Sequence, residues 1–128
     1  MKRSEVYDNV RDWIQSHGYD EGYILQARFW NERSNSNNDR YIVIQQNGGA
    51  PGEEAITRDY FRILVISARN DANISEVEDL ADAIRQSMLS EFKTDKITLM
   101  KPTGAIPVMQ TREGRFIFTV AFQTIISR

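Results

Sequence analysis

The run Asp59–Arg69 constrains the fold of this chain more than any other stretch. In an extended strand, successive side chains point to opposite faces of the sheet. The two faces would carry Phe61, Ile63 and Val65 on one side, and Tyr60, Leu64 and Ile66 on the other. A strand that is apolar on both faces should be covered on both faces. We therefore expect helices on one side of this strand, and either another part of the chain or a second copy of it on the other side.

The spacing of apolar residues predicts two amphipathic helices, Ser4–His17 and about Ser75–Phe92. Ser75 and Glu78 fit a capping box at the start of the second helix. Six strands are predicted over Tyr23–Trp30, Arg40–Gln46, Asp59–Arg69, Lys96–Lys101, Pro107–Arg112 and Arg115–Ile126. The order α-β-β-β-α-β-β-β predicts an α/β protein of the α+β type, with a mainly antiparallel or mixed β-sheet and two helices packed on it.

Three segments between these elements are typical of loops or turns. The polar stretch Asn31–Asp39 has no periodicity and predicts a loop. Asn47–Gly52 contains three glycines and a proline, and we expect a turn there. Glu113-Gly114 between two apolar runs predicts a tight hairpin.

Length and charge limit the classes of protein that this sequence can encode. A chain of 128 residues is expected to form one domain, residues 1–128. A net charge of −2 gives no global basic field, so we expect no specific nucleic-acid partner. Without cysteine, neither a disulfide framework nor a thiolate metal site is possible. No apolar run reaches the length of a membrane helix, so no membrane partner is expected.

Candidate catalytic groups are few. His17 is the single histidine and is best interpreted as a structural or surface residue. A magnesium site could be built only from the acidic residues of the second helix, which favour a solvated helix face: Glu76, Glu78, Asp79 and Asp82. Asp82, Glu91 and Lys93 weakly resemble a metal-dependent nuclease pattern, but their place at a helix end argues against it. Gly48–Gly52 is followed by glutamates, which would repel a phosphate, so a turn is the better interpretation.

Basic residues surround the first loop. Arg28, Arg33 and Arg40 lie near Trp30 in the sequence, a combination that suits single-stranded nucleic acid. Glu32 and Asp39 interrupt the group. We therefore favour a polar rim or a contact between subunits.

The central block resembles the tail terminator (minor tail) proteins of long-tailed phages and prophages. The resemblance rests on Arg40-Tyr-Ile-Val-Ile before a Gly-Gly loop, on Leu64–Asp71, and on the helix segment Glu78–Arg85. The short N-terminal helix and the apolar C-terminal hairpin complete it. The resemblance implies a small structural α/β subunit, not an enzyme, that forms a hexameric ring on the finished tail tube. Such a ring stops tube polymerisation and provides the surface to which the head is joined.

The resemblance implies partners but no catalytic, cofactor or metal site. The expected partners are other copies of the chain, the tail tube protein and the head–tail joining protein. The expected location is the cytoplasm of the bacterial host during assembly, and then the virion tail. We assign Trp30, Arg33, Arg40, Gly48 and Gly49 to the interface between subunits, because their irregular loops flank the most apolar strands. The alternatives are a small cytosolic binding or regulatory module and, less favoured, a metal-dependent nuclease.

Overall fold

The computed structural model describes residues 3–32, 38–49, 56–90 and 99–127. The helices in these ranges are α1 (Arg3–Ser16) and α2 (Ile74–Ser90). The strands are β1 (Tyr23–Ala27), β2 (Arg40–Gly49), β3 (Ile56–Ile66), β4 (Leu99–Pro102), β5 (Val108–Gln110) and β6 (Phe116–Ser127). The predicted fold class and the predicted order of elements are confirmed.

One mixed sheet contains all six of these strands, in the order β1-β2-β3-β6-β4, with β5 also paired to β6. Only the edge pair β1–β2 is parallel among these strands, and the other pairs are antiparallel. At the centre, β3 and β6 pair from Ile56 opposite Ser127 to Ile66 opposite Ile117. β4 and β5 share the outer side of β6, where β4 pairs near Thr124 and β5 near Ile117.

Both helices lie on one face of the sheet and bury the larger part of the core there. α1 packs over β2, whereas α2 packs over β3, β6 and β4. The fully buried side chains of this face include Val10, Ile14, Ile42, Ile44, Phe61, Ile63, Val65, Ile84 and Phe122. The hydroxyl groups of Tyr19 and Ser87 join the end of α1 to α2 by a hydrogen bond. Neither described helix is both long enough and apolar enough to cross a membrane.

Part of the opposite face of the sheet is also buried within a single chain. Its buried apolar residues are Tyr41, Val43, Leu64, Ile66 and Ile117, and Ile24 and Trp30 pack against them. Because β1 and β2 are parallel, the chain must cross a face of the sheet to connect them. Trp30, in the described part of this connection just after β1, packs on Tyr41 and helps to cover the second face. Leu64 and Ile66, on the second face of β3, are therefore buried by other residues of the same chain.

The strand ends differ from the prediction in two places. β1 ends at Ala27 rather than Trp30, because Arg28 adopts a left-handed φ of 73° that no strand accommodates. β2 continues to Gly49. The turn predicted over Asn47–Gly52 is therefore wrong for residues 47–49, which belong to the strand. The register with β3 shifts between Gln46 and Gly49, and glycine suits such a bulge because it has no side chain to pack.

The bounds of β3 and the start of α2 also differ from the prediction. β3 spans Ile56–Ile66 rather than residues 59–69. The helix is capped by Asn73, whose Oδ1 accepts a hydrogen bond from the Glu76 backbone N–H at 3.3 Å, so the capping box predicted at Ser75 is wrong. The predicted end of this helix at Phe92 lies outside the described residues. The predicted hairpin at Glu113-Gly114 is confirmed by the β5–β6 pairing.

Candidate functional site

Arg115 lies at the start of β6 and is 0% exposed on the second face of the sheet. Its Nε and Nη2 donate to Glu32 Oε1 at 3.2 and 2.9 Å. Its Nη1 donates to the backbone oxygens of Asp39 at 2.7 Å and Ser67 at 2.9 Å. In each of these bonds the donor is the charged guanidinium, and bonds with a charged donor are stronger than neutral ones; the bond to Ser67 is buried and the others are partly buried. Arg115 therefore joins two points of the β1–β2 connection, Glu32 and Asp39, to Ser67 at the end of β3.

Arg69 also donates to Glu32 Oε1, at 3.0 Å from Nε and 2.6 Å from Nη2. We call Glu32, Arg69 and Arg115 the Glu32 clamp. Burial by itself raises the pKa of the Glu32 carboxyl, but the hydrogen bonds from Arg69 and Arg115 outweigh burial, and the pKa falls below its usual value. The carboxylate therefore stays charged at neutral pH and holds both guanidinium groups.

Arg40, at the start of β2, makes a second ionic cluster. Its Nε and Nη2 each contact one carboxylate oxygen of Asp71 at 2.9 Å, and its Nη1 donates to Glu76 at 2.6 Å. Asp71 also accepts the backbone N–H groups of Ala68 and Asn73. The hydrogen bonds that Arg40 donates to Asp71 lower the pKa of the Asp71 carboxyl and raise the pKa of the Arg40 guanidinium, in both cases against the effect of burial. This cluster joins β2 to the loop before α2.

The end of β1 presents an exposed aromatic residue. Phe29 is 73% exposed, next to Arg28 in its left-handed conformation. Arg28 donates its backbone N–H to Ile44 O at 2.6 Å, and its guanidinium lies 4.5 Å from the centre of the Tyr7 ring. We call Arg28 and Phe29 the β1 corner. It lies beside α1, at the edge of the sheet formed by β1.

A groove of about 470 Å³ lies at the opposite edge, between α2 and the segment that joins β4 to β5. It is lined by Glu78, Asp82, Arg85, Gly104, Ala105, Ile106, Val108 and Phe118. Arg85 Nε donates to Gly104 O at 3.0 Å and so fixes the segment against the helix. Val108 is 53% exposed beside the groove. We call this space the α2 groove.

The residues assigned to a subunit interface have different surroundings within the subunit. Trp30 is half-buried and packs on Tyr41, with their ring centres 5.9 Å apart. The guanidinium of Arg40 is occupied by Asp71 and Glu76. Gly48 and Gly49 lie at the end of β2, and Arg33 lies outside the described residues. A single subunit does not test the interface assignment, which stays a prediction.

The candidate catalytic residues that the structure describes form no common site. The His17 ring lies between aromatic neighbours, stacked on Tyr19 at 5.2 Å and edge-on to Trp13 at 5.0 Å. Within residues 3–32, 38–49, 56–90 and 99–127, His, Asp and Glu side chains form no group of three or more that could hold a metal ion. Glu91 and Lys93, which the nuclease interpretation requires, lie outside these ranges.

Sequence comparison decides the family. A family model described as phage tail termination protein matches residues 3–128. The chain belongs to this family. Members of the tail termination family have a structural role in the virion tail, and the tail terminator resemblance is thereby confirmed. No curated protein matches this tail termination protein.

One solved structure, whose name states no function, has the same fold as this tail termination family member. The match has a TM-score of 0.54 and 12% sequence identity, and covers 98% of this chain and 93% of the other. At that identity the likeness concerns the fold alone.

The sequence interpretation missed the residues that organise both ionic clusters. From the sequence, Arg115 is identified only as the first residue of a predicted strand, and Asp71 only as the end of the segment Leu64–Asp71. A signal for Arg115 existed: a charged residue directly precedes a strand that is apolar on both faces, and a buried charge needs a partner. No sequence signal pairs it with Glu32, because the two residues meet only after the connection crosses the sheet.

Proposed function

We propose that this protein terminates a phage tail. In this proposal, copies of the chain close into a hexameric ring on the end of the tail tube, stop its growth, and provide the surface to which the head is joined. The observation that carries the proposal is the match to the tail termination family over residues 3–128. The hexameric state and the head-joining role rest on the resemblance to tail terminators.

The asymmetry of the subunit supports ring formation. A ring needs heterologous contacts, in which two different surfaces of the subunit meet head to tail. One edge of the sheet is formed by β1 with α1 nearby, and the other by β4 and β5 with α2 nearby. The two edges therefore differ in the elements that form them, as a head-to-tail contact requires.

The interface predicted from the sequence stays part of the proposal. Trp30 would contribute beside the exposed Phe29, and Gly48 and Gly49 would contribute through the end of β2. Arg40 would act indirectly, by holding β2 to the loop before α2. A charge reversal at Arg40 would break its ion pairs within the subunit, so loss of assembly in that variant would not identify an interface.

The proposed partners are the tail tube protein, the head–tail joining protein and other copies of the chain. The proposed location is the host bacterial cytoplasm during assembly, followed by the end of the tail in the virion.

The experiment follows growth of the cognate tube protein by light scattering, with and without this protein, and images the products by negative-stain electron microscopy. We expect tube growth to stop and closed rings to lie at one end of each tube. Tubes that lengthen at the same rate with no ring at either end would contradict the proposal. A monomer in isolation agrees with it, since the tube end can act as the template for the ring.

A further inference from the structure

We propose that the β1 corner of one subunit docks into the α2 groove of a second copy. The inference rests on the proposed ring and assigns its subunit contact: Phe29 enters the groove, and Arg28 pairs with Glu78 and Asp82 at its acidic side. The kind of partner is therefore a second copy of this chain.

The β1 corner is a rigid projection. A left-handed conformation costs a non-glycine residue about 1 kcal/mol or more, and such strain persists only where surrounding contacts maintain it. Here those contacts are the hydrogen bond from the Arg28 backbone to Ile44 O and the Arg28–Tyr7 ring contact. They fix the backbone that carries Phe29, whose phenyl ring is 73% exposed and so contributes little burial to its own subunit. A rigid aromatic residue presented in this way is typical of an interface anchor.

The α2 groove has the shape and chemistry to accept that ring. Ile106 and Phe118 line its apolar part, and Val108 adds exposed apolar surface at its mouth. Glu78 and Asp82 lie one turn apart on α2 and line the same space. An aromatic ring with a cation next to it is complementary to an apolar groove with carboxylates beside it.

The positions of the two features exclude their meeting within one chain. β1 and β5 lie at opposite edges of the sheet, separated by four inter-strand spacings of about 4.8 Å, roughly 19 Å in all. The contact is therefore made between copies. Since a corner meets a groove, the contact is heterologous and generates a ring or a filament rather than a two-fold dimer.

The first experiment measures ring formation on tube ends with single and compensating substitutions. Burying a phenylalanine side chain stabilises an interface enough that Phe29→Asp should weaken assembly about tenfold to a hundredfold. Arg28→Glu and Glu78→Arg should each weaken it, and the double variant with both changes should restore it. The matched control is Leu89→Asp, which changes a 51% exposed apolar residue of α2 that does not line the groove, and it should assemble normally. Thermal melting of each variant shows whether its subunit remains folded.

Ring formation by Phe29→Asp at the wild-type concentration would overturn the inference. Loss of assembly in both single charge variants without recovery in the double variant would also overturn the assigned pairing.

A second experiment separates this inference from the proposed function. Because the chain contains no cysteine, Phe29→Cys and Val108→Cys can each be introduced as a single thiol. Mixing the two proteins with growing cognate tail tubes under oxidising conditions should give a disulfide-linked heterodimer at the tube ends, which neither protein mixed with Leu89→Cys should give. If the specific cross-link forms but tube growth continues, the contact holds and the terminator proposal fails. If tube growth stops but the cross-link is no faster than the control, the terminator proposal holds and this contact fails.

Discussion

Replacing Arg115 by methionine removes one of the two positive charges of the Glu32 clamp and keeps an unbranched side chain at that position. The change leaves Asp39 O and Ser67 O without their charged donor, and an unsatisfied buried acceptor costs about 1–3 kcal/mol. Removing one partner of a buried ion pair costs about 3–5 kcal/mol. Glu32 is 26% exposed and retains Arg69, so the lower end of that range applies. We expect the free energy of unfolding to fall by about 3 kcal/mol.

The assay is urea unfolding followed by circular dichroism, with thermal melting as a second measure. For a chain of this size, a loss of about 3 kcal/mol corresponds to a decrease in Tm of roughly 10 °C. Arg112→Met is the matched control, because Arg112 is exposed and lies three positions earlier in the same hairpin. We expect that variant to unfold within about 0.5 kcal/mol of the wild type.

Coupling between the clamp residues gives an independent check. A double-mutant cycle with Glu32→Gln should give an interaction energy of more than about 1 kcal/mol, because the two side chains share two hydrogen bonds. An Arg115→Met variant as stable as Arg112→Met would refute the reasoning. Packing of Trp30 and the Arg69–Glu32 ion pair would then be sufficient to hold the described part of the β1–β2 connection.

Three further predictions concern single residues. The pKa of Asp71 is lower in the folded than in the unfolded state. Its carboxylate therefore contributes to the free energy of unfolding above the unfolded pKa of about 3.9, and this contribution is lost as the pH falls below that value. We expect Asp71→Asn to flatten the acid limb of a curve of stability against pH. Gly114→Ala should cost more in a thermal melt than Gly22→Ala, since both have positive φ but only at Gly114 would a Cβ lie 2.9 Å from Asn70 Oδ1. Asn73→Ala should cost about 1 kcal/mol in urea unfolding and Ser75→Ala almost nothing; the reverse order would contradict the observed cap.

Local patterns in the sequence were sufficient to predict the helices and strands and their order along the chain. The alternation along Phe61–Ile66 predicted two buried faces, and the structure has both, because side-chain direction in a strand follows from the backbone alone. The helical spacing of Val77, Ala81 and Ile84 likewise predicted the buried face of α2. Strand ends were less predictable, since Arg28 and Gly49 are governed by contacts with neighbouring strands.

The assignment of Arg40 illustrates what local pattern cannot provide. In the sequence it belongs to a group of basic residues near a loop, and an intermolecular role was a reasonable hypothesis. In the structure its partner Asp71 lies 31 positions away, brought close because β2 and β3 are antiparallel neighbours and the chain turns back toward α2. Which charged residues pair at such separations depends on the order of the strands in the sheet. The spacing of residues within one segment does not predict that order.

The sequence by itself determined a domain with two helices on a mixed sheet, a two-sided central strand, and membership in a family of tail proteins. Only the tertiary structure decided that Trp30 of the chain's own β1–β2 connection packs on part of the second face, and that Arg115 binds the connection at Glu32 and Asp39. The physical reason is that periodicity states which side chains must be buried, whereas the partner that buries them depends on where the chain crosses the sheet.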